Sequence, residues 1–240
     1  MKNEKYSEIS VTVTSKIDVI IRTNGPDINL DEPFYAVNWF STKVEWLYTF
    51  YNFLALRSVK KVGGTAFFKA RVTETILDES KGRRDLILIV RYPSGLNFKS
   101  LMESTYFKVV SIFRVLSVSK FTFGFTHKLA SDPDSQKEDG LHYAIHHFIS
   151  DQSGEATLQS IQNILPNSIS IKYAGNTIAT LISKEKNKLE RQVPNLMNGL
   201  FIFQSSNENN LRTFFASNAY QEYLGTLQSS HISFLNRISV

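Results

Sequence analysis

The 240 residues include no cysteine. That absence removes disulfides, thiolate-bound zinc, iron–sulfur clusters and thiol nucleophiles together, and it fits a reducing compartment. No apolar run is long enough to cross a bilayer. The most apolar helical stretch, residues 44–56, is interrupted by Glu45 and Asn52 and falls short of the ~20 residues a spanning helix needs. The start, Met1 to Glu8, is polar, and Ile9 to Thr14 alternates instead of forming a continuous apolar core, so no signal peptide is expected. A soluble, cytoplasmic chain with no membrane partner is the expectation. There is no nucleophile elbow of the form G-x-S-x-G, no G-x-x-x-x-G-K-[ST] phosphate loop and no G-x-G-x-x-G turn. Neither sign of charge dominates: 27 Lys+Arg stand against 22 Asp+Glu, a net charge of +5. The basic residues are scattered instead of gathered on one element, which argues against nucleic acid as a partner. No helix-turn-helix is expected at the start of the chain, because the N-terminal segment reads as strand.

What is present is ordinary globular composition, 42% hydrophobic and 20% charged. The charge is unevenly divided: residues 1–130 carry 19 basic and 12 acidic groups, residues 131–240 carry 8 and 10. Between them lies Ala130 to Gly140, with four acids and no large apolar side chain, a linker. Phe34 to Phe40 reads as a strand. A helix follows from Lys43 to about Val62, with Thr42 and Glu45 as a capping box and Trp46, Leu47, Phe50, Phe53 and Leu54 at helical spacing. Gly63-Gly64 stops it. Thr65 to Leu77 and Asp85 to Tyr92 read as strands. Residues 97–118 read as a second helix with Val109, Ile112, Phe113 and Leu116 on its apolar face, and Phe121 to Phe125 as a fourth strand. After the linker the same order returns: strand 142–149, helix 154–165, strands 168–182 and 199–204, helix 209–227, strand 232–238.

Residues repeat along with the order. FYAVNWF at 34–40 lies over HYAIHHF at 142–148, ARVTETIL at 70–77 over AGNTIATL at 174–181, and MESTYFKVV at 102–110 over ASNAYQEYL at 216–224, which pairs Tyr106 with Tyr220. Three matches in one order predict a duplication. The expected fold class is α+β: two tandem ferredoxin-like βαββαβ repeats, each a four-stranded antiparallel sheet with helices on one face. Their open sheet faces would be covered by packing the sheets face to face as an intramolecular α+β barrel. The expected organisation is an N-terminal strand-like extension over 1–33, with a turn at Ser15-Lys16, a first repeat over 34–129, a linker over 130–140 and a second repeat over 141–240. The extension is expected to cover a sheet edge.

The Gly63-Gly64 pair, the strand end Tyr92-Pro93-Ser94, and Met102-x-x-x-Tyr106 with Arg114 in the second helix resemble the dimeric α+β barrel superfamily. That superfamily includes antibiotic-biosynthesis-monooxygenase-like, muconolactone-isomerase-like and chlorite-dismutase-like proteins and small uncharacterised stress-associated families. The resemblance covers about residues 34–127 and more faintly 142–238. It implies a cofactor-independent monooxygenase- or isomerase-like enzyme binding a small apolar or aromatic molecule. Haem-degrading members carry a haem-ligating His on the second helix. Neither 97–118 nor 209–227 holds a His, so that role does not transfer, although Asn38 matches an Asn of those members' first strand.

Strand alternation sorts the candidate ligand contacts. Phe34, Ala36, Asn38 and Phe40 share a face, and His146 is the counterpart of Asn38. Phe67, Lys69, Arg71 and Thr73 share another, with Tyr173 aligned to Lys69, and Arg91 ends the third strand. Asn38, Lys69, Arg71, Arg91, His146 and Tyr173 are therefore the candidate ligand-binding residues, and no catalytic residue is assigned. A metal is not expected: His142 and His146 lie about 13 Å apart along one strand, and His147 points to the other face. No cofactor is expected either. Most of the aromatics, 20 of 30 of which fall in residues 1–130, are expected to be packing. Two functional classes follow, a small-molecule enzyme and a non-catalytic binding or scaffold protein with a filled barrel interior. A homo-oligomer is a further candidate assembly.

Overall fold

The computed structural model describes residues 8–11, 19–23, 31–78, 84–130, 140–183 and 198–238. In chain order the elements are β1 (Glu8–Val11), β2 (Val19–Thr23), β3 (Phe34–Thr42), α1 (Glu45–Lys61), β4 (Thr65–Asp78), β5 (Leu86–Tyr92), α2 (Gly95–Glu103), α3 (Thr105–Ser117), β6 (Val118–Ala130), β7 (His142–Ile149), α4 (Gly154–Ile164), β8 (Ser170–Ser183), β9 (Gly199–Ser205), α5 (Glu208–Ala216), α6 (Asn218–Leu224) and β10 (Ser229–Arg237). Most of the expected linker, the charged stretch KEKNKLERQ at 184–192 and the Ser15-Lys16 turn lie outside the described residues.

Eight strands close into an antiparallel barrel in the order β8-β6-β3-β5-β4-β10-β7-β9, with β9 pairing back onto β8. The two halves do more than face each other. They are hydrogen-bonded edge to edge, β4 to β10 and β6 to β8, which leaves neither sheet an open edge at the seam. Within each half the strand order is the same, β6-β3-β5-β4 and β10-β7-β9-β8. The N-terminal pair β1–β2 continues the edge of β8. β9 occupies residues 170–176 of that edge, and β2 occupies residues 179–183.

Backbone register refines the internal alignment. Phe68 opposes Ile89, and Tyr173 opposes Ile202. Each follows a bulge, between Ala66 and Phe68 in one half and between Ile171 and Tyr173 in the other. Tyr173 thus corresponds to Phe68, not to Lys69, and the buried Lys172 corresponds to Phe67. The second helix of each half is also broken, contrary to the single helices expected. Ser104 caps α3 by accepting from the Phe107 N–H, and Ser217 caps α6 by accepting from the Tyr220 N–H. Phe107, which is buried, therefore takes the place of Tyr220, whereas Tyr106 is about half exposed.

Alternating strand residues build three cores. Phe34, Ala36 and Phe40 pack under α1 and α3 with Tyr48, Tyr51, Ala55 and Val59. Ala144, Phe148, Phe201 and Phe203 pack under α4, α5 and α6. Tyr35, Val37, Trp39, Phe68, Ile89, Tyr143, Ile145, Tyr173 and Ile202 point the other way and meet inside the barrel. The inner face of α1 is not the one its most conspicuous aromatics mark: Trp46, Phe50 and Phe53 face outward and are exposed. Helical periodicity locates a face, but α1 carries two apolar faces and the pattern does not say which one meets the sheet. The expected capping box is also absent. Thr42 ends β3, Val44 is the N-cap without a side-chain bond, and Glu45 instead pairs with Arg71. The Gly63-Gly64 stop is realised: Gly63 sits at φ 76°, and the Gly63 and Gly64 N–H groups donate to Lys60 and Val59 carbonyls. Among the described residues no helix is long and apolar enough to cross a membrane.

Gly199 begins β9 where a Cβ would lie 2.0 Å from a ring carbon of Phe148. That ring is held by Phe201, centroid to centroid 4.8 Å, and by His146 at 5.1 Å. Gly199→Ala is expected to lower the unfolding free energy by about 1–3 kcal/mol through overpacking, read as a shifted urea midpoint at unchanged slope.

Candidate functional site

The six candidate residues fall into three separate places. Asn38, Lys69 and Arg71 lie on the outer face of the first half, beneath and beside α1. The Asn38 side-chain amide donates to the carbonyls of Ala36 and Leu88, each at 3.2 Å. The Lys69 ammonium stands 5.8 Å from the Tyr48 ring centroid, and burial lowers its pKa, with the nearby Arg71 adding to the effect. Arg71 pairs with Glu45. Phe67, expected on the same face as Lys69, is inside the barrel instead, because the bulge before Phe68 interrupts the alternation.

His146 occupies the equivalent of Asn38, but in the other half. It is fully buried under α6, its Nδ1 2.9 Å from the Tyr220 hydroxyl and its Nε2 3.1 Å from the Ser230 hydroxyl. Burial, with His231 nearby, pushes its pKa down to about 3. Both nitrogens are engaged and the ring is neutral at ordinary pH, which makes it a satisfied core histidine.

Arg91 and Tyr173 are the two candidates inside the barrel wall. Arg91 alternates with Ile87 and Ile89 and lies opposite Tyr35. The Tyr35, Phe67 and Tyr173 rings lie 5.1–5.5 Å apart. The Tyr173 hydroxyl is hydrogen-bonded to Thr126. This aromatic end with one half-buried guanidinium is the part of the candidate set that the fold brings together.

A polar cluster absent from the candidate set lies farther along the interior. Trp39 stacks on His147 at 4.3 Å and 10° and meets His231 edge-on at 4.7 Å. The Trp39 Nε1 and His147 Nδ1 have no hydrogen-bond partner. His231 Nδ1 is 3.1 Å from an Asp78 carboxylate oxygen, its Nε2 is 2.9 Å from the Ser233 hydroxyl, and Ser233 is 2.9 Å from the Thr75 hydroxyl. With Nδ1 as the donor, Thr75 donates to Ser233, Ser233 to His231 and His231 to Asp78. The connectivity is that of a serine nucleophile, its base and an orienting carboxylate. Ser233 and His231, however, are both 0% exposed, shut off from solvent. The signal for this cluster is in the sequence: His231 and Ser233 alternate with Ile232 and Phe234, which puts a polar face on a strand buried on both sides. Among the described residues no group of three His, Asp or Glu could hold a metal ion.

The interior is densely occupied. Phe68, Ala70, Ile87, Ile89, Ile145, Tyr173 and Ile202 are all 0% exposed, while Tyr35, Val37, Val72 and Leu235 of the same core keep 6–7%.

No family model matches the chain, and no curated protein matches it. Solved structures do. A candidate monooxygenase from Fusobacterium nucleatum subsp. nucleatum is 13% identical, with 87% of this chain and 93% of that chain covered at a TM-score of 0.53. An anthrone oxidase-like protein is 11% identical, with 89% and 95% covered, also at 0.53. At these identities the likeness concerns the fold alone.

Proposed function

We propose that this chain is a non-catalytic binding or scaffold protein, a duplicated βαββαβ unit closed into a barrel of the monooxygenase-like fold. The observation that carries the reading is the interior, where Phe68, Ala70, Ile87, Ile89, Ile145, Tyr173 and Ile202 are shut off from solvent. A small-molecule enzyme of this architecture needs room for its substrate. The duplication is supported by the shared strand order, by the two bulges at corresponding residues and by the two serine-capped helix breaks. Trp39 and His147 occupy corresponding positions on β3 and β7 and stack on each other, as residues near the axis relating two copies would.

One observation favours a second reading, binding of a small aromatic molecule. Arg91 is only half-buried and lies across the strand pair from Tyr35 of the Tyr35–Phe67–Tyr173 cluster, an aromatic surface with one cation to orient an anionic or phenolic group. A thermal-shift screen with fused tricyclic phenols separates the two. The scaffold reading expects no compound to raise the melting temperature of the wild-type protein. A rise that disappears in Arg91→Ala, with Asn38→Ala and Lys69→Ala unaffected, would establish the second reading.

A further inference from the structure

The helix layers of the two halves differ sharply in what they show to solvent. On α1, Trp46 (72% exposed), Phe50 (44%) and Phe53 (57%) fall at i, i+4 and i+7, turned away from the buried Tyr48, Tyr51, Ala55 and Val59. On the neighbouring α3, Val109, Ile112 and Leu116 fall at i, i+3 and i+7, each more than half exposed. Phe50 meets Phe113 across the helix pair at 5.4 Å, so the two stripes form one surface. At about 150–250 Å² per aromatic side chain, the exposed parts amount to roughly 600 Å², at or above the largest apolar patch of a typical monomer. The second half is an internal control. α4, α5 and α6 occupy the corresponding layer, and no large hydrophobic exposed side chain occurs there among the described residues.

The charges on the two helices are nearly all positive, and Glu103, just before α3, is paired with Lys99. Lys43, Arg57, Lys60, Lys61 and Lys108 are exposed on or beside α1 and α3. Arg57 lies over the Phe53 ring at 4.6 Å. The sole acid on the two helices, Glu45, is paired with Arg71. An isologous contact with a second copy would set these cations against their own images. An anionic surface would instead meet each with an opposite charge. We propose that the α1–α3 face docks on a lipid bilayer bearing anionic headgroups, with the aromatic and aliphatic stripe entering the interface and the lysines at its rim. The expectation of no membrane partner rests on the lack of a spanning segment, and lying on a bilayer requires none. The proposal stands whether or not the barrel holds a ligand.

The test is flotation of the full chain with vesicles of phosphatidylcholine alone and of phosphatidylcholine mixed with phosphatidylglycerol, paired with light scattering. The expected result is a monomer that floats with the mixed vesicles only. Trp46 is the one exposed tryptophan, Trp39 being buried, so the emission should shift to the blue on binding, and Trp46→Phe should abolish the shift. Lys60→Gln and Lys61→Gln should each weaken binding roughly fivefold. Phe53→Ser with Ile112→Ser should weaken it more than about tenfold, and because both side chains are exposed the fold and melting temperature should be retained. Absence of binding to either vesicle, binding indifferent to these substitutions, or a dimer that Phe53→Ser with Ile112→Ser dissolves would overturn the proposal. The last outcome would assign the face to a second copy of the chain.

Discussion

Trp39→Ala should lower the unfolding free energy by about 3–5 kcal/mol and leave a cavity in the barrel that binds indole. The Trp39 ring is 1% exposed, stacked on His147 and set edge-on against His231. It thus joins β3 of one half to β7 and β10 of the other. Removing it takes away apolar burial and leaves a void that a closed sheet of fixed register collapses only partly. Indole should therefore raise the melting temperature of the variant and leave the wild type unchanged. A loss below about 1 kcal/mol, well under the usual range for Trp→Ala, or equal stabilisation of both proteins, would show that the interior is not packed as described.

Acid should unfold the protein earlier than its surface charges alone would. His146, His147 and His231 are all held below the usual histidine range, chiefly by burial. His231 and His146 add to the effect at His147, while Asp78 partly opposes it at His231. In the unfolded chain a histidine takes up its proton near pH 6.5. The unfolded state therefore binds protons first as the pH falls, and stability present above pH 6.5 is lost below it. For His146 the loss runs from about pH 6.5 to the folded value of about 3, at about 1.4 kcal/mol per pH unit. His147 and His231 act in the same direction, the latter over a narrower window. Urea unfolding at pH 7 and pH 5 should show a fall of several kcal/mol for the wild type. In His146→Gln, which keeps a hydrogen-bonding side chain against Tyr220 or Ser230, the fall should be about 2 kcal/mol smaller. Equal falls in the two proteins would contradict the neutral, buried state assigned to His146.

The order of elements was readable along the chain because strands such as DLILIVRY and helix stops such as Gly63-Gly64 carry local signals. Facing and register were not. Trp46, Phe50 and Phe53 satisfy a helical period equally well whether they point in or out. The choice is made by Tyr48, Tyr51 and Ala55, which fit against β3. The bulge before Phe68 moves Phe67 to the opposite face from Lys69, and alternation counted through it misplaces every residue on one side. Tyr106 and Tyr220 look like counterparts in a letter-by-letter match, but the caps at Ser104 and Ser217 put Phe107 in the corresponding place. The candidate site suffered from the same limits. Asn38 and His146 take the same place in the strand order of the two halves, and across a closed barrel that puts them on opposite outer sides, not together. The interior network of His231, Ser233 and Asp78 went unread because its polar residues occupy strand positions that ordinarily carry apolar ones.

Pressurising wild-type crystals with xenon tests the central claim most directly, since xenon settles in apolar voids that side chains leave empty. A filled interior predicts no xenon among Trp39, Tyr143 and Ile202. An ordered xenon peak there would show an enclosed cavity, and with it the room for a substrate that a scaffold lacks.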